Sequence, residues 1–232
     1  NIAGTAEYVL DPGSPIDTYY LAEWAGVNPE NGAPQWYKTV AKDGVETREI
    51  TSNYAEADQV KCGSASPDLF GGINTSLIWK NFDLNAVFGY SIGGTLYNYA
   101  RQEYDSDGTY TDRNQMKLQK GWKRWEKPGD VATHPVAKYN NDSQSNKASS
   151  RYLEDSDYFK LRSFTLGYNF KFPQYYISNL RVYFTGENLF TITKYSGVDP
   201  ELPANDGSVM SSTGPGVYPS VRKFMFGINL TF

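Results

Sequence analysis

"RKFMFGINLTF", residues 222–232, decides the fold through its alternation. Phe224, Phe226, Ile228, Leu230 and Phe232 fall on one parity, and Lys223, Met225, Gly227, Asn229 and Thr231 on the other. Successive side chains of a strand point to opposite faces, so this is a strand with one continuous apolar face. No turn, cap or tail follows it. The expectation is a strand that faces lipid on one side, ends at a membrane rim and closes against the first strand of a barrel.

Working back from that strand, the same pattern recurs four times. In "GGINTSLIWK" Ile73, Thr75, Leu77 and Trp79 oppose Asn74, Ser76 and Lys80, and in "NFDLNAVFGY" Phe82, Leu84, Ala86, Phe88 and Tyr90 oppose Asp83, Asn85 and Gly89. Lys80 and Asn81 at the corner make the pair a tight hairpin. In "YFKLRSFTLGYNF", residues 158–170, Phe164, Leu166, Tyr168 and Phe170 share a parity that Phe159 and Leu161 break, which calls for a β-bulge near Arg162 or Ser163. In "LRVYFTGENLF" Leu180, Val182 and Phe184 oppose Arg181, Tyr183, Thr185 and Glu187.

The connections alternate between short and long. Long polar excursions occupy 91–157 and 194–220, the first with short helices expected near 96–104 and 114–125 and a low-complexity end, "YNNDSQSNKASSR". Outer-membrane barrels have this asymmetry, with short periplasmic turns and long extracellular loops, and strands of about nine to eleven residues cross a bilayer when tilted. The alternative is a soluble β-sandwich, a carbohydrate-binding module or glycan-active enzyme domain, which would have similar loops at both ends.

Composition agrees with a wall in two solvents. Tyr, Phe and Trp number 19, 12 and 5, or 16% of the chain, yet the mean hydropathy is −0.58. Large rings in a polar chain fit interface belts and stacking surfaces. A net charge of −4 argues against a nucleic-acid partner. The single Cys62 allows no internal disulfide and no thiolate zinc site. Because the chain begins "NIAGTAEY", it reads as an interior piece of something longer.

"YLEDSDYFKLRSFTLGYNF", "LRVYFTGENLFTITKYSGVDPE", "VYPSVRKFMFGINLTF" and "WKNFDLNAVFGYSIGG" resemble, in order and spacing, the C-terminal barrel region of SusC/RagA-type TonB-dependent transporters. "EWAGVNPENGAPQWY", residues 23–37, and "GWKRWEKPGD", 121–130, look like extracellular-loop elements of that family. The resemblance implies an all-β fold, the C-terminal portion of a barrel of about 22 strands enclosing a plug. Five membrane strands are present here. Residues 1–66 are an extracellular loop region with a hairpin, and 67–232 carry the strands and the two long loops. Also implied are the outer membrane of a Gram-negative bacterium, a SusD-like surface lipoprotein partner, energy relayed by TonB through the missing N-terminal part, and import of oligosaccharides or oligopeptides. Gly227, Leu230 and Phe232 match the family's ending, which resembles the signal read by the barrel-assembly machinery.

Catalysis has little to stand on. "YDSDGTYTD" offers Asp105, Asp107 and Asp112, but the calcium-loop pattern lacks its acid at the fifth position and Glu at the twelfth, so a solvated loop is the reading adopted. His134, the only histidine, sits in "ATHPV" without a nucleophile motif, and no phosphate-binding glycine motif occurs, so no enzyme activity, cofactor or metal is expected. Trp122 and Trp125, spaced i and i+3, are candidates to stack on substrate from one face of a short helix, with Tyr195 a third. Packing of the loops is the alternative for all three, and Trp24, Trp36 and Tyr37 are read as glue for a hairpin. Asp83, Asn85, Tyr183 and Glu187, on the polar parity, are expected to line the lumen or meet the plug.

Overall fold

The computed structural model describes residues 8–172, 176–201 and 220–232. In chain order the strands are β1 (Tyr8–Val9), β2 (Thr18–Ala22), β3 (Trp24–Val27), β4 (Pro34–Lys42), β5 (Val45–Thr51), β6 (Gln59–Ser64), β7 (Leu69–Trp79), β8 (Phe82–Ile92) and β9 (Thr95–Tyr97). Helix α1 (Tyr99–Tyr104) follows, then β10 (Leu153–Asp155), β11 (Tyr158–Lys171), β12 (Asn179–Thr193) and β13 (Lys223–Thr231). These elements fall into two compact units, one of Asn1–Ser66, Thr95–Glu154 and Glu201–Val217, the other of Pro67–Gly94, Asp155–Pro200 and Tyr218–Phe232.

The second unit is one antiparallel sheet in the order β13-β12-β11-β8-β7. Its tightest connection is the expected hairpin: Trp79 pairs with Phe82, leaving Lys80 and Asn81 as a two-residue turn, with Lys80 in the left-handed region at φ 53°. The expected bulge is also present. Leu161 and Ser163 of β11 pair with the adjacent Phe88 and Val87 of β8, so Arg162 is the extra residue. It flips the phase of β11, returning Phe159 and Leu161 to the face of Phe164 and Leu166 and sparing Lys160 the apolar side. Against β12 the shift grows, because Glu187 faces Ser163 and Phe190 faces Leu161, with Asn188 at φ 53° between them.

β13 lies at one edge of the sheet, paired with β12 from Asn179↔Thr231 to Glu187↔Lys223. Its apolar row is not covered by a second layer, since Phe224, Phe226, Ile228 and Leu230 are 61%, 82%, 66% and 50% exposed. A soluble sandwich would bury that row against its other sheet.

The first unit is built from short sheets, β1-β2-β6, β3-β4-β5 and β9-β10. Its core is made of Tyr8, Tyr19, Leu21, Tyr97 and Tyr152. Tyr8 and Tyr19 stack at 4.8 Å, and the hydroxyls find partners: Tyr19 accepts from the Tyr97 amide and Tyr152 donates to the Ser145 carbonyl. Rings with a polar tip suit a small unit whose chain is otherwise hydrophilic. In the hairpin of β3 and β4, Trp24 and Trp36 meet edge to face at 5.7 Å, Tyr54 adds a second such contact on Trp36, and Arg48 of β5 lies 3.7 Å over Tyr37.

The first long excursion is more ordered than its composition implies. Asn98 caps α1 by accepting from the Arg101 amide. No helix forms over 114–125: Gly121 takes φ 91°, and residues 123–125 instead run beside 133–134, with the Thr133 amide on the Lys123 carbonyl and the Trp125 amide on the His134 carbonyl. Trp122 and Trp125 therefore do not share a helix face.

Candidate functional site

Within the five-stranded sheet, strand register sorts every side chain to one of two faces. Asp83, Gly167, Tyr183 and Gly227 are successive cross-strand partners, as are Asn85, Thr165, Thr185 and Met225, and Val87, Ser163, Glu187 and Lys223. Asp83, Asn85, Tyr183 and Glu187 thus lie on one face. It is knit by polar contacts. Asp83 accepts from Asn169 at 2.9 Å and from Arg181 Nε at 3.0 Å, and the Arg181 guanidinium stands 4.7 Å over Tyr183. The Thr165 and Thr185 hydroxyls meet at 2.9 Å, and Lys223 lies 3.3 Å from Glu187. Two glycines make room for this layer: a Cβ at Gly227 would run into the Tyr183 ring, and one at Gly167 into the Asp83 carboxylate and Arg181. Lys160 of β11 and Asp199, in the loop after β12, form a buried pair at 2.9 Å.

The opposite face carries Leu77, Leu84, Leu166, Phe184 and Phe226 as one cross-strand row. Towards the short turn, Trp79, Phe82, Tyr168 and Phe170 form a chain of ring contacts at 6.2, 4.7 and 4.6 Å, continued to Phe172. Near the other end Phe88 stacks on Phe159 at 5.3 Å. An apolar band between two aromatic zones, backed by a polar face, matches a strand wall between lipid and water. Gly227 and Leu230 lie within β13 and Phe232 follows its last residue.

In the first unit the structure assembles a cluster that sequence reading left scattered. Asp105 and Asp107 are wholly buried, as is most of His134. Arg124 reaches Asp107 Oδ1 at 2.5 Å and Arg151 reaches its Oδ2 at 2.6 Å, while Arg101 holds Glu154 at 2.9 Å and Asp105 at 3.5 Å. Three carboxylates thereby balance three guanidiniums. His134 Nε2 lies 2.8 Å from Asp105 Oδ2, and Nδ1 lies 2.8 Å from the Thr133 hydroxyl. Burial works against charge on Asp105, but the His134 hydrogen bond and the fields of Arg151 and Arg101 outweigh it and hold the carboxyl below the ordinary range. An ionised carboxylate only accepts, so Nε2 carries the hydrogen.

This arrangement fixes the fate of the acidic loop. The solvated loop expected from the sequence is overturned at two of its three acids: Asp107 gives both oxygens to arginines, and Asp105 meets His134 and Arg151 through Oδ2 with Arg124 3.7 Å from Oδ1, whereas Asp112 is exposed beside Arg113. No group of three potential metal ligands occurs among the described residues. The aromatic candidates have partners in their own units. Trp122 contacts both the Arg101 guanidinium, 4.4 Å over its ring, and the His134 ring, 4.9 Å away. Trp125 packs on Gly32 and donates from Nε1 to the Pro29 carbonyl at 2.8 Å. Tyr195 is 5% exposed, with its ring against Gly197.

A two-faced antiparallel sheet with an exposed apolar band defines the class: a transmembrane β-barrel wall. No family model matches the sequence. Individual relatives do. The chain is 30% identical over 240 residues to TonB-dependent receptor P3 of Formosa agariphila, covering 97% of this chain and 23% of that protein. It is 25% identical to TonB-dependent receptor SusC of Bacteroides thetaiotaomicron, covering 95% of this chain and 20% of SusC. In structure it superposes on the RagAB peptide transporter with a TM-score of 0.76 at 25% identity, covering 99% of this chain and 24% of that one. The chain is a barrel segment of the SusC/RagA type of TonB-dependent outer-membrane receptor. It spans 20–24% of the length of these relatives.

Proposed function

We propose that this segment forms part of the wall and extracellular loops of an outer-membrane importer that takes up oligosaccharides or oligopeptides with energy relayed by TonB. The observation that carries the reading is the sheet itself: one face is continuous and apolar, the other is cross-linked by polar pairs, and the two long connections run between strand ends on one side of the sheet, from Ile92 to Tyr158 and from Thr193 to Lys223. In this reading the polar face, with Asp83, Asn85, Tyr183 and Glu187, lines the lumen or meets the plug. The first unit belongs to the extracellular side and offers surface to a SusD-like lipoprotein. Trp122, Trp125 and Tyr195 act on the arriving molecule through the loop surfaces that they hold in place, and Gly227, Leu230 and Phe232 are read during barrel assembly. The chain's work is transport, with no catalytic step. The relatives named as receptors and as a peptide transporter support this reading.

The test uses the full-length transporter with Cys62→Ser as background. A bulky thiol reagent at Asn85→Cys should block uptake of labelled oligosaccharide or oligopeptide, offered in parallel, while the same reagent at the neighbouring Leu84→Cys should leave uptake intact. Equal block at both positions, or at Leu84 alone, would contradict the face assignment.

A further inference from the structure

The apolar face of the sheet ends in a groove of about 430 Å³ between the long-loop ends of β8, β11 and β12. Tyr90, Phe159 and Ile192 line it, and register places these three side by side on the apolar face. Asp155, Asp157 and Lys194 line it too. Asp157 accepts from the Gly93 amide at 2.6 Å and Asp155 from the Asp157 amide at 2.8 Å, which fixes both carboxylates at the rim. Lys194 is exposed and, among the described residues, makes no ion pair with either acid, so the same groove offers both signs of charge.

We propose that this groove binds one outer-leaflet lipid whose head group carries both a phosphate and a primary ammonium, a phosphoethanolamine-bearing lipid. Its acyl chain lies on Tyr90, Phe159 and Ile192, its phosphate meets Lys194, and its ammonium meets Asp155 and Asp157. The occupant follows from continuity and charge. The groove prolongs the apolar row that contacts the bilayer, so a chain lying there buries both surfaces. Its rim sits where the strands end, the depth at which head groups and amphipathic rings such as Tyr90 and Tyr158 meet. One cation beside two anions complements a zwitterion with an N–H donor better than a purely anionic head group. The inference rests on the wall reading above and adds a specific lipid to it.

The test is native mass spectrometry of the full-length transporter, purified in detergent and offered phosphatidylethanolamine, phosphatidylglycerol or phosphatidylcholine with matched acyl chains. Phosphatidylethanolamine should be retained over the other two. Lys194→Gln should lower retention of both phosphatidylethanolamine and phosphatidylglycerol by about two- to fivefold, the scale of one exposed ion pair. Asp155→Asn should lower phosphatidylethanolamine alone. Equal retention of the three lipids, or variants indistinguishable from the parent, would overturn the proposal. A nitroxide at Phe226→Cys in the Cys62→Ser background separates the two failures. If that label is shielded from bilayer oxygen, the wall reading itself falls. If it is exposed to oxygen while head-group preference is absent, only the lipid proposal falls.

Discussion

Replacing Asp107 by Ala removes the carboxylate that two arginines share. Arg124 and Arg151 contact its two oxygens at 2.5 and 2.6 Å, and the Asp107 and Arg151 side chains are 0% and 3% exposed. The cluster would be left with Asp105 and Glu154 against Arg101, Arg124 and Arg151. Breaking a buried pair by deleting one partner costs about 3–5 kcal/mol, because the remaining charge has neither water nor counter-ion. That amounts to roughly two to three and a half orders of magnitude in the local opening equilibrium. The assay is amide hydrogen exchange in the full-length protein, read at Lys138 and Asn141, whose amides donate to the Asp107 and Gly108 carbonyls. Both should lose protection by that factor, while amides of β8, β11 and β12 keep theirs. Asp107→Leu combined with Arg151→Met should recover part of the loss, since a volume-matched apolar pair restores neutrality. Unchanged exchange in Asp107→Ala, or equal loss throughout the sheet, would refute the cluster as a local clamp on the first long excursion.

Other expectations follow from the same contacts. Arg in place of Leu166 or Phe184, on the apolar row, should destabilise the barrel by about 2–4 kcal/mol in urea titrations of protein folded into vesicles, whereas Thr165→Ser on the polar face should cost little. Gly227→Val should cost about 1–3 kcal/mol in the same titration by driving a side chain into the Tyr183 ring, and Tyr183→Ala in the same chain should relieve part of it. Asp105 has a folded pKa depressed below its ordinary 3.8, so its stabilisation is fully present above that value and is lost as pH falls through the lower folded pKa. Trp122 emission and exchange at Lys138 should therefore be steady from pH 7 to about 5 and change only below about 4. A transition centred at pH 6 would point to another group.

The strands were legible because parity survives in the sequence: Phe224 to Phe232 and Phe82 to Tyr90 keep one phase, and the break at Arg162 announces one inserted residue. The further irregularity at Asn188 was not legible. β12 carries two more residues than β8 between the paired positions, and an even insertion leaves Phe184, Phe190 and Ile192 on one parity. The buried cluster was hidden for a different reason. Apart from Arg101 and Asp105 at i and i+4, its members come from 105 to 154 with no periodic spacing, and the polar run around Ser145 and Ser149 looks solvated although both residues are buried. Trp122 and Trp125 had a helical spacing that Gly121 and the pairing with residues 133–134 overrode. Segments 173–175 and most of the 194–220 loop lie outside the described residues.

The two parities of the sheet face lipid and water. Nitroxide labels placed one at a time from 223 to 231 in the Cys62→Ser full-length protein, reconstituted in bilayers, test it through collision rates with oxygen and with a water-soluble nickel complex. Oxygen maxima are expected at 224, 226, 228 and 230 and nickel maxima at 223, 225, 227, 229 and 231, with a period of two. Uniform accessibility along β13, or oxygen maxima on the odd positions, would contradict it.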